Sequence, residues 1–197
     1  MWRVQTQDDH AAFALLVERW REKIRRLCIR MTGNPHTGDD LAQEVFARVF
    51  DKRRDFRAAS KFSTWLWRIA VNRCCDELRR PASRATTESL DDENSTVVLD
   101  INVSDTRTPR DALARQEEAE LVRQALMRLP ENYRAVLVLR HYENLKLREI
   151  AEVLDVPEGT VNSRMAEALV QLTQLLEPAF APATKTLKQR GKEHLVV

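Results

Sequence analysis

At 197 residues the chain is long enough for one large or two small domains. Its 32 basic and 30 acidic residues nearly cancel, so the distribution of charge along the chain says more than the total. Three cysteines without CxxC or HxxxC spacing fit neither a disulfide framework nor a zinc site, the N-terminus lacks a signal-peptide core, and no run approaches the ~18 apolar residues of a membrane span, so a soluble, cytoplasmic protein is expected.

The few glycines, only 4, and the long Leu/Ala/Glu/Arg stretches predict an all-α chain. A first helix is expected after Asp8 or Asp9, both good N-caps, running to about Met31. Phe13, Val17, Trp20, Ile24, Leu27 and Met31 recur at three- and four-residue steps along it. Thr32-Gly33-Asn34-Pro35 stops it. A second helix is expected from a cap near Thr37 or Asp39 to about Arg54, with Leu41, Val45, Phe46, Val49 and Phe50 inward. A loop from Asp55 to Lys61 leads to a third helix, Phe62 to Arg80. These make one bundle, residues 8–80. Residues 81–108 lose helical period and read as a flexible acidic linker, VVLDINV within it being a weak strand-like docking patch. A second bundle, residues 109–177, opens at Thr108-Pro109, an N-cap and N1 pair, and carries Leu121, Ala125 and Leu129 inward. Pro130 starts its next helix, covering Val136, Leu137 and Leu139. The tail 178–197 is basic and expected to lack order. The expected fold is therefore two small helical bundles joined by a flexible linker.

Charge is unevenly spread. Residues 1–80 carry 17 Lys/Arg against 11 Asp/Glu, whereas residues 111–177 carry 8 against 12. The basic footprint of a nucleic-acid partner lies in the first half.

In the third helix, Phe62, Leu66, Ile69, Ala70, Cys74 and Leu78 share a broad apolar side. Arg68, Asn72, Cys75 and Arg79 form a narrow strip on the other side, with Trp65 beside it. Guanidiniums for phosphate, an amide for a base edge and an aromatic for stacking are what single-stranded nucleic acid needs. The competing reading is an amphipathic core helix whose tryptophan packs on a neighbour.

LREIAEVLDVPEGTVNSRMAEALV (Leu147 to Val170) has helix-turn-helix spacing. Ala151 occupies the crossing, where a small residue is needed, and Leu154, Val156 and Val161 fill the angle between the helices. Glu158-Gly159-Thr160 is expected to cap the second helix, which presents Asn162, Ser163 and Arg164 near its start. The alternative is an ordinary αα-corner. Few basic groups follow: Glu167 and then Leu169, Leu172, Leu175 and Leu176 come after Arg164. Asp155 sits in the turn, where Gly is common. Weak affinity for duplex DNA is expected of this half alone.

Residues 8–177 resemble the bacterial RNA polymerase sigma factors of the extracytoplasmic-function (ECF) group. DDLAQEVF (Asp39–Phe46) resembles that group's clamp-docking helix, KFSTWLWRIAVN (Lys61–Asn72) its promoter-melting helix, and LPENYRAVLVLRHYENLKLREIAEVLDVPEGTVNSR (Leu129–Arg164) its region four. The resemblance implies that residues 8–80 are region two and 109–177 region four. It implies core-polymerase contacts by Asp40, Gln43 and Glu44, with Phe46 as a buried anchor. It implies capture of a flipped minus-ten base by the loop 55–62, including Arg57 and Lys61, together with Trp65, Arg68 and Asn72. It implies minus-thirty-five contacts by Thr160, Asn162, Ser163 and Arg164. It also implies that the acidic linker threads the polymerase cleft toward the RNA exit path.

The implied partners are core RNA polymerase and promoter DNA, both duplex and melted non-template strand, with an anti-sigma protein as a further partner that the group allows. No catalytic residue, metal, cofactor, small-molecule substrate or membrane insertion is expected. His10, His36, His141 and His194 are scattered, and no glycine-rich phosphate loop exists. Two rivals stand beside this reading. One is a helix-turn-helix regulator that binds duplex DNA alone, which leaves the Trp/Arg/Asn strip without a use. The other is a sigma-like decoy that binds polymerase without promoter activity.

Overall fold

The computed structural model describes residues 1–57, 61–80 and 109–180. The linker expected over 81–108 and the tail beyond residue 180 lie outside the described residues. Every regular element among the described residues is helical.

A short helix that periodicity did not foresee opens the chain: α1, Trp2–Gln7, which buries Val4 completely. Asp8 ends it in the left-handed region at φ 49, a conformation that Asp tolerates better than most residues. Asp9 then caps α2, His10–Thr32, its carboxylate accepting from the Ala12 N–H at 2.9 Å. Gly33 closes α2 at φ 76, and a β-carbon there would fall 2.5 Å from the Met127 sulfur.

The start of α3, Pro35–Asp51, differs from expectation. Asn34 is the cap, accepting from the Thr37 N–H at 3.0 Å, and Pro35 is the first helical residue. A proline that stops one helix also suits the first position of the next, where its missing N–H has no partner to lose. The helix ends at Asp51, short of Arg54, and Arg53–Asp55 form a single 3₁₀ turn. α4 spans Phe62–Leu78. Trp67 and Val71 are buried on it, while Leu78, expected inward, is exposed.

The second bundle comprises α5 (Pro109–Arg128), α6 (Glu131–Leu137), a π-helical turn (Val138–Tyr142), α7 (Leu147–Leu154) and α8 (Glu158–Phe180). α8 continues through Pro178 to Phe180, three residues into the segment expected to be a tail. Pro157 precedes α8, its carbonyl accepting from Val161 at 3.2 Å. Gly159 and Thr160 therefore sit inside the first turn and do not form its cap.

The two bundles share one hydrophobic core. Ile24, Leu27, Met31, Leu41, Val45, Leu66 and Val71 are continuous with Val136, Leu139, Ile150, Val153 and Val161. Each fully buried aliphatic side chain is worth about 1.5–3 kcal/mol, so this seam outweighs any surface ion pair. Polar groups reinforce it. Arg134 of α6 donates to the Met31 carbonyl at the end of α2, and to the Met127 and Leu129 carbonyls at 2.7 and 3.0 Å. A cation at helix C-termini satisfies carbonyls that have no intrahelical partner. Arg30 pairs with Glu143 at 3.3 Å, the side chains only 8% and 9% exposed, and stacks over Tyr142.

Candidate nucleic-acid interface

Lys61, Trp65, Arg68 and Asn72 follow at four-, three- and four-residue steps, so α4 aligns them along one side. Asn72 is exposed. Trp65 is half-buried, its ring 5.4 Å from Phe56 and 6.2 Å from Phe62. Arg57 is exposed at the edge of the loop, whose residues 58–60 lie outside the described residues.

The strip is not the open, solvated surface expected from the sequence. The second bundle lies along it. Lys61 Nζ is 3.1 Å from Glu149 of α7. Arg68 donates to the Glu152 carbonyl and stands 3.4 Å from Asp155. Arg79 pairs with Glu131 at 2.9 Å. The Glu149 carboxyl is held below its usual range first by the Lys146 N–H, which it caps, and then by Lys61. Helical periodicity cannot report this cover, because it arises between segments far apart in sequence.

On α3, Asp40, Gln43 and Glu44 are exposed, while Phe46 is buried among core residues. Glu44 is not wholly free: Arg73 of α4 donates to it at 2.5 Å and to Glu77 at 3.3 Å. The Arg73 side chain is 7% exposed, and hydrogen bonding to Glu44 raises its pKa. Sequence reasoning missed Arg73. The Glu77 carboxylate one helical turn later was the available signal.

The helix-turn-helix forms as expected. Asp155 occupies the turn at φ 56, Val161 is fully buried, and Ala151, Leu154 and Val156 pack against the shared core. At the start of α8, Asn162 and Ser163 are exposed, and Thr160 and Arg164 half-buried. Ser163 donates to the Thr160 carbonyl at 3.0 Å. Glu167 is exposed and accepts from Gln171 at 2.9 Å.

Burial pushes the Cys75 thiol up to about 11, which disfavours a thiolate nucleophile at neutral pH. Cys28 and Cys74 are fully buried. Among the described residues, no group of three His, Cys, Asp or Glu side chains is placed to hold a metal, and no helix is long and apolar enough to cross a membrane.

Comparison with known proteins follows the same division. The Sigma-70 region 2 family profile matches residues 16–84, and the Sigma-70 region 4 profile matches residues 119–172. The chain is 40% identical over 159 residues to the ECF RNA polymerase sigma factor SigW of Bacillus subtilis (strain 168), covering 80% of this chain and 84% of that one. It is 35% identical over 186 residues to the RNA polymerase sigma-H factor of Pseudomonas aeruginosa, covering 92% and 94%. The fold resembles that of the sigma factor RpoE solved with the anti-sigma factor NepR from Bartonella quintana, at a TM-score of 0.62 and 17% identity over 84% of this chain and 97% of that one.

Proposed function

The chain belongs to the ECF group of RNA polymerase sigma factors, which direct the polymerase in transcription initiation, and on that premise we propose how its surfaces divide the work. The exposed row Asp40, Gln43 and Glu44 docks on core polymerase. The α4 strip, with the loop 55–62, receives a flipped minus-ten base. Flipping exposes the base's edge and both faces, which an amide at Asn72 and an aromatic at Trp65 can use. Thr160, Asn162, Ser163 and Arg164 enter the minus-thirty-five major groove. The protein works in the cytoplasm as a specificity subunit and not as an enzyme. An anti-sigma protein is a further partner. Residues 8–80 act as region two, 81–108 as the connecting segment, 109–177 as region four, and 178–197 as a basic tail.

The observation that carries this reading is the alignment of Lys61, Trp65, Arg68 and Asn72 on α4 in a protein that also holds a helix-turn-helix. Because α7 engages Lys61 and Arg68, full use of the strip requires the two bundles to part.

Run-off transcription with core polymerase tests the assignment. Asn72→Ala should reduce open-complex formation more than polymerase binding. The loss should be about 1–3 kcal/mol, the worth of one base's hydrogen bonds. Asn72 is exposed, so folding should not change. A permanganate footprint identical to wild type would remove Asn72 from the pocket.

A further inference from the structure

The helix α1 has no part in the functional division above, yet its polar side chains converge on one place. Gln5 donates through Nε2 to the Phe56 carbonyl at 2.7 Å and to the Arg54 carbonyl at 3.2 Å. Asp8, turned by its left-handed backbone, meets Arg53 at 2.6 Å and Arg54 at 3.6 Å. Arg53 in turn stacks over Phe50 and donates to the Phe50 carbonyl at 2.9 Å. The chain from Arg53 to Phe56 is thus gripped from one side by an element some fifty residues earlier.

That segment enters the base-capture loop. Phe56 leaves the 3₁₀ turn in an extended conformation. Its ring lies 5.4 Å from Trp65 and 6.1 Å from Phe62. One residue therefore has its carbonyl held by Gln5 and its ring set against the strip's stacking aromatic. A left-handed non-glycine residue beside a functional loop carries backbone strain that the surrounding contacts must sustain, and here Asp8 is held by two arginines.

We propose that Gln5 is a positioning residue for base capture: by holding the Phe56 carbonyl it sets how the Phe56 ring seats against Trp65. The inference rests on the base-capture reading of that loop. Recognition of one unstacked base depends on sub-ångström placement, so a displaced Phe56 ring should cost discrimination between bases.

The test uses full-length protein reconstituted with core polymerase on promoters that differ only at the captured minus-ten base. Gln5→Met keeps side-chain length and removes both donors. Wild-type affinity for the core and a wild-type melting temperature are expected. The ratio of open-complex formation between the best and worst base should fall by roughly tenfold. Asp8→Asn, which keeps a residue suited to the left-handed region but removes the charge, should shift the ratio the same way. An unchanged ratio in Gln5→Met, or an equal loss on every promoter with a lowered melting temperature, overturns the proposal. A swap of residues 55–61 separates the two levels. If the swap changes base preference while Gln5→Met does not, the positioning role fails and base capture stands. If neither the swap nor Asn72→Ala changes it, base capture itself has failed and the proposal falls with it.

Discussion

The Arg68 guanidinium of α4 stands 3.4 Å from the Asp155 carboxylate in the turn of the helix-turn-helix. The side chains are 40% and 83% exposed, so the pair contributes at most about 1 kcal/mol. Its meaning is geometric: an arginine of the α4 strip is engaged by the turn of the helix-turn-helix. What holds the bundles together is the apolar seam, reinforced by Arg134 of α6 donating to the Met31 carbonyl at the end of α2.

A distance measurement between spin labels at Ala47 on α3 and Ala166 on α8, both exposed, tests whether the bundles part. A single distance is expected in the free protein and a longer one when core polymerase is added. Asp155→Asn alone should not open the free form, because the exposed pair is weak. The native thiols should label slowly, being buried or, for Cys75, raised to about 11. An unchanged distance on core binding would refute parting.

Arg replacements at both Asp40 and Gln43 should abolish pull-down of core polymerase while leaving helicity and melting temperature unchanged. Both side chains are exposed, on the side of α3 away from Leu41 and Val45. Glu44 is a poor choice for this test. Its replacement strips Arg73, a 7% exposed guanidinium, of a partner at 2.5 Å and would mix instability with lost docking. Retained pull-down by a folded double variant would exclude this row.

Much of this was legible in the sequence, for identifiable reasons. The spacing of Ala151, Leu154, Val156 and Val161 is a local packing requirement, and the helix-turn-helix followed from it. α1 was not legible, because its six residues are too few to display a period and its burial rests on Val4. The start of α3 was misread because Pro35 punctuates in both directions. The cover over Arg68 and Lys61 was invisible because it depends on how two separately patterned bundles dock. The excess of acid in the second half was the one hint, since Glu131, Glu149 and Asp155 are the residues that meet α4.

Stability should carry a pH signature of Glu143. Burial raises its carboxyl above the usual 4.5, against the opposing pull of Arg30, Arg26 and Lys23. A folded-state value above the unfolded one means that the folded protein binds this proton more tightly. The contribution is therefore fully present below the unfolded value and is lost as pH rises through the folded one. The melting temperature of wild type minus that of Glu143→Gln should fall as pH rises above the ordinary carboxylate value of 4.5. Glu143→Ala should be the more damaging change at neutral pH, because it removes the carboxylate that accepts from the Arg30 guanidinium at 3.3 Å, whereas Gln keeps an acceptor there. A difference that instead rises with pH would mean that the ion pair outweighs the burial.

α8 carries Arg164, half-buried, in its first turns and Glu167, exposed, close behind it. Few neutralised phosphates release few counterions, so binding to the minus-thirty-five duplex should be weak and shallow in its salt dependence. An isolated fragment 109–180 is unsuited to the measurement, since removing the first bundle would uncover Val136, Leu139 and Ile150. Full-length holoenzyme on promoters with and without the minus-thirty-five element is the appropriate system. Glu167→Arg should strengthen the element-dependent part of binding and steepen the slope of log affinity against log salt by roughly one. Gln171, which now donates to Glu167 at 2.9 Å, would lose only an exposed hydrogen bond. A wild-type slope already steep on the element, and unchanged by the substitution, would show that Glu167 does not face phosphate and that region four reads DNA along a different edge of α8.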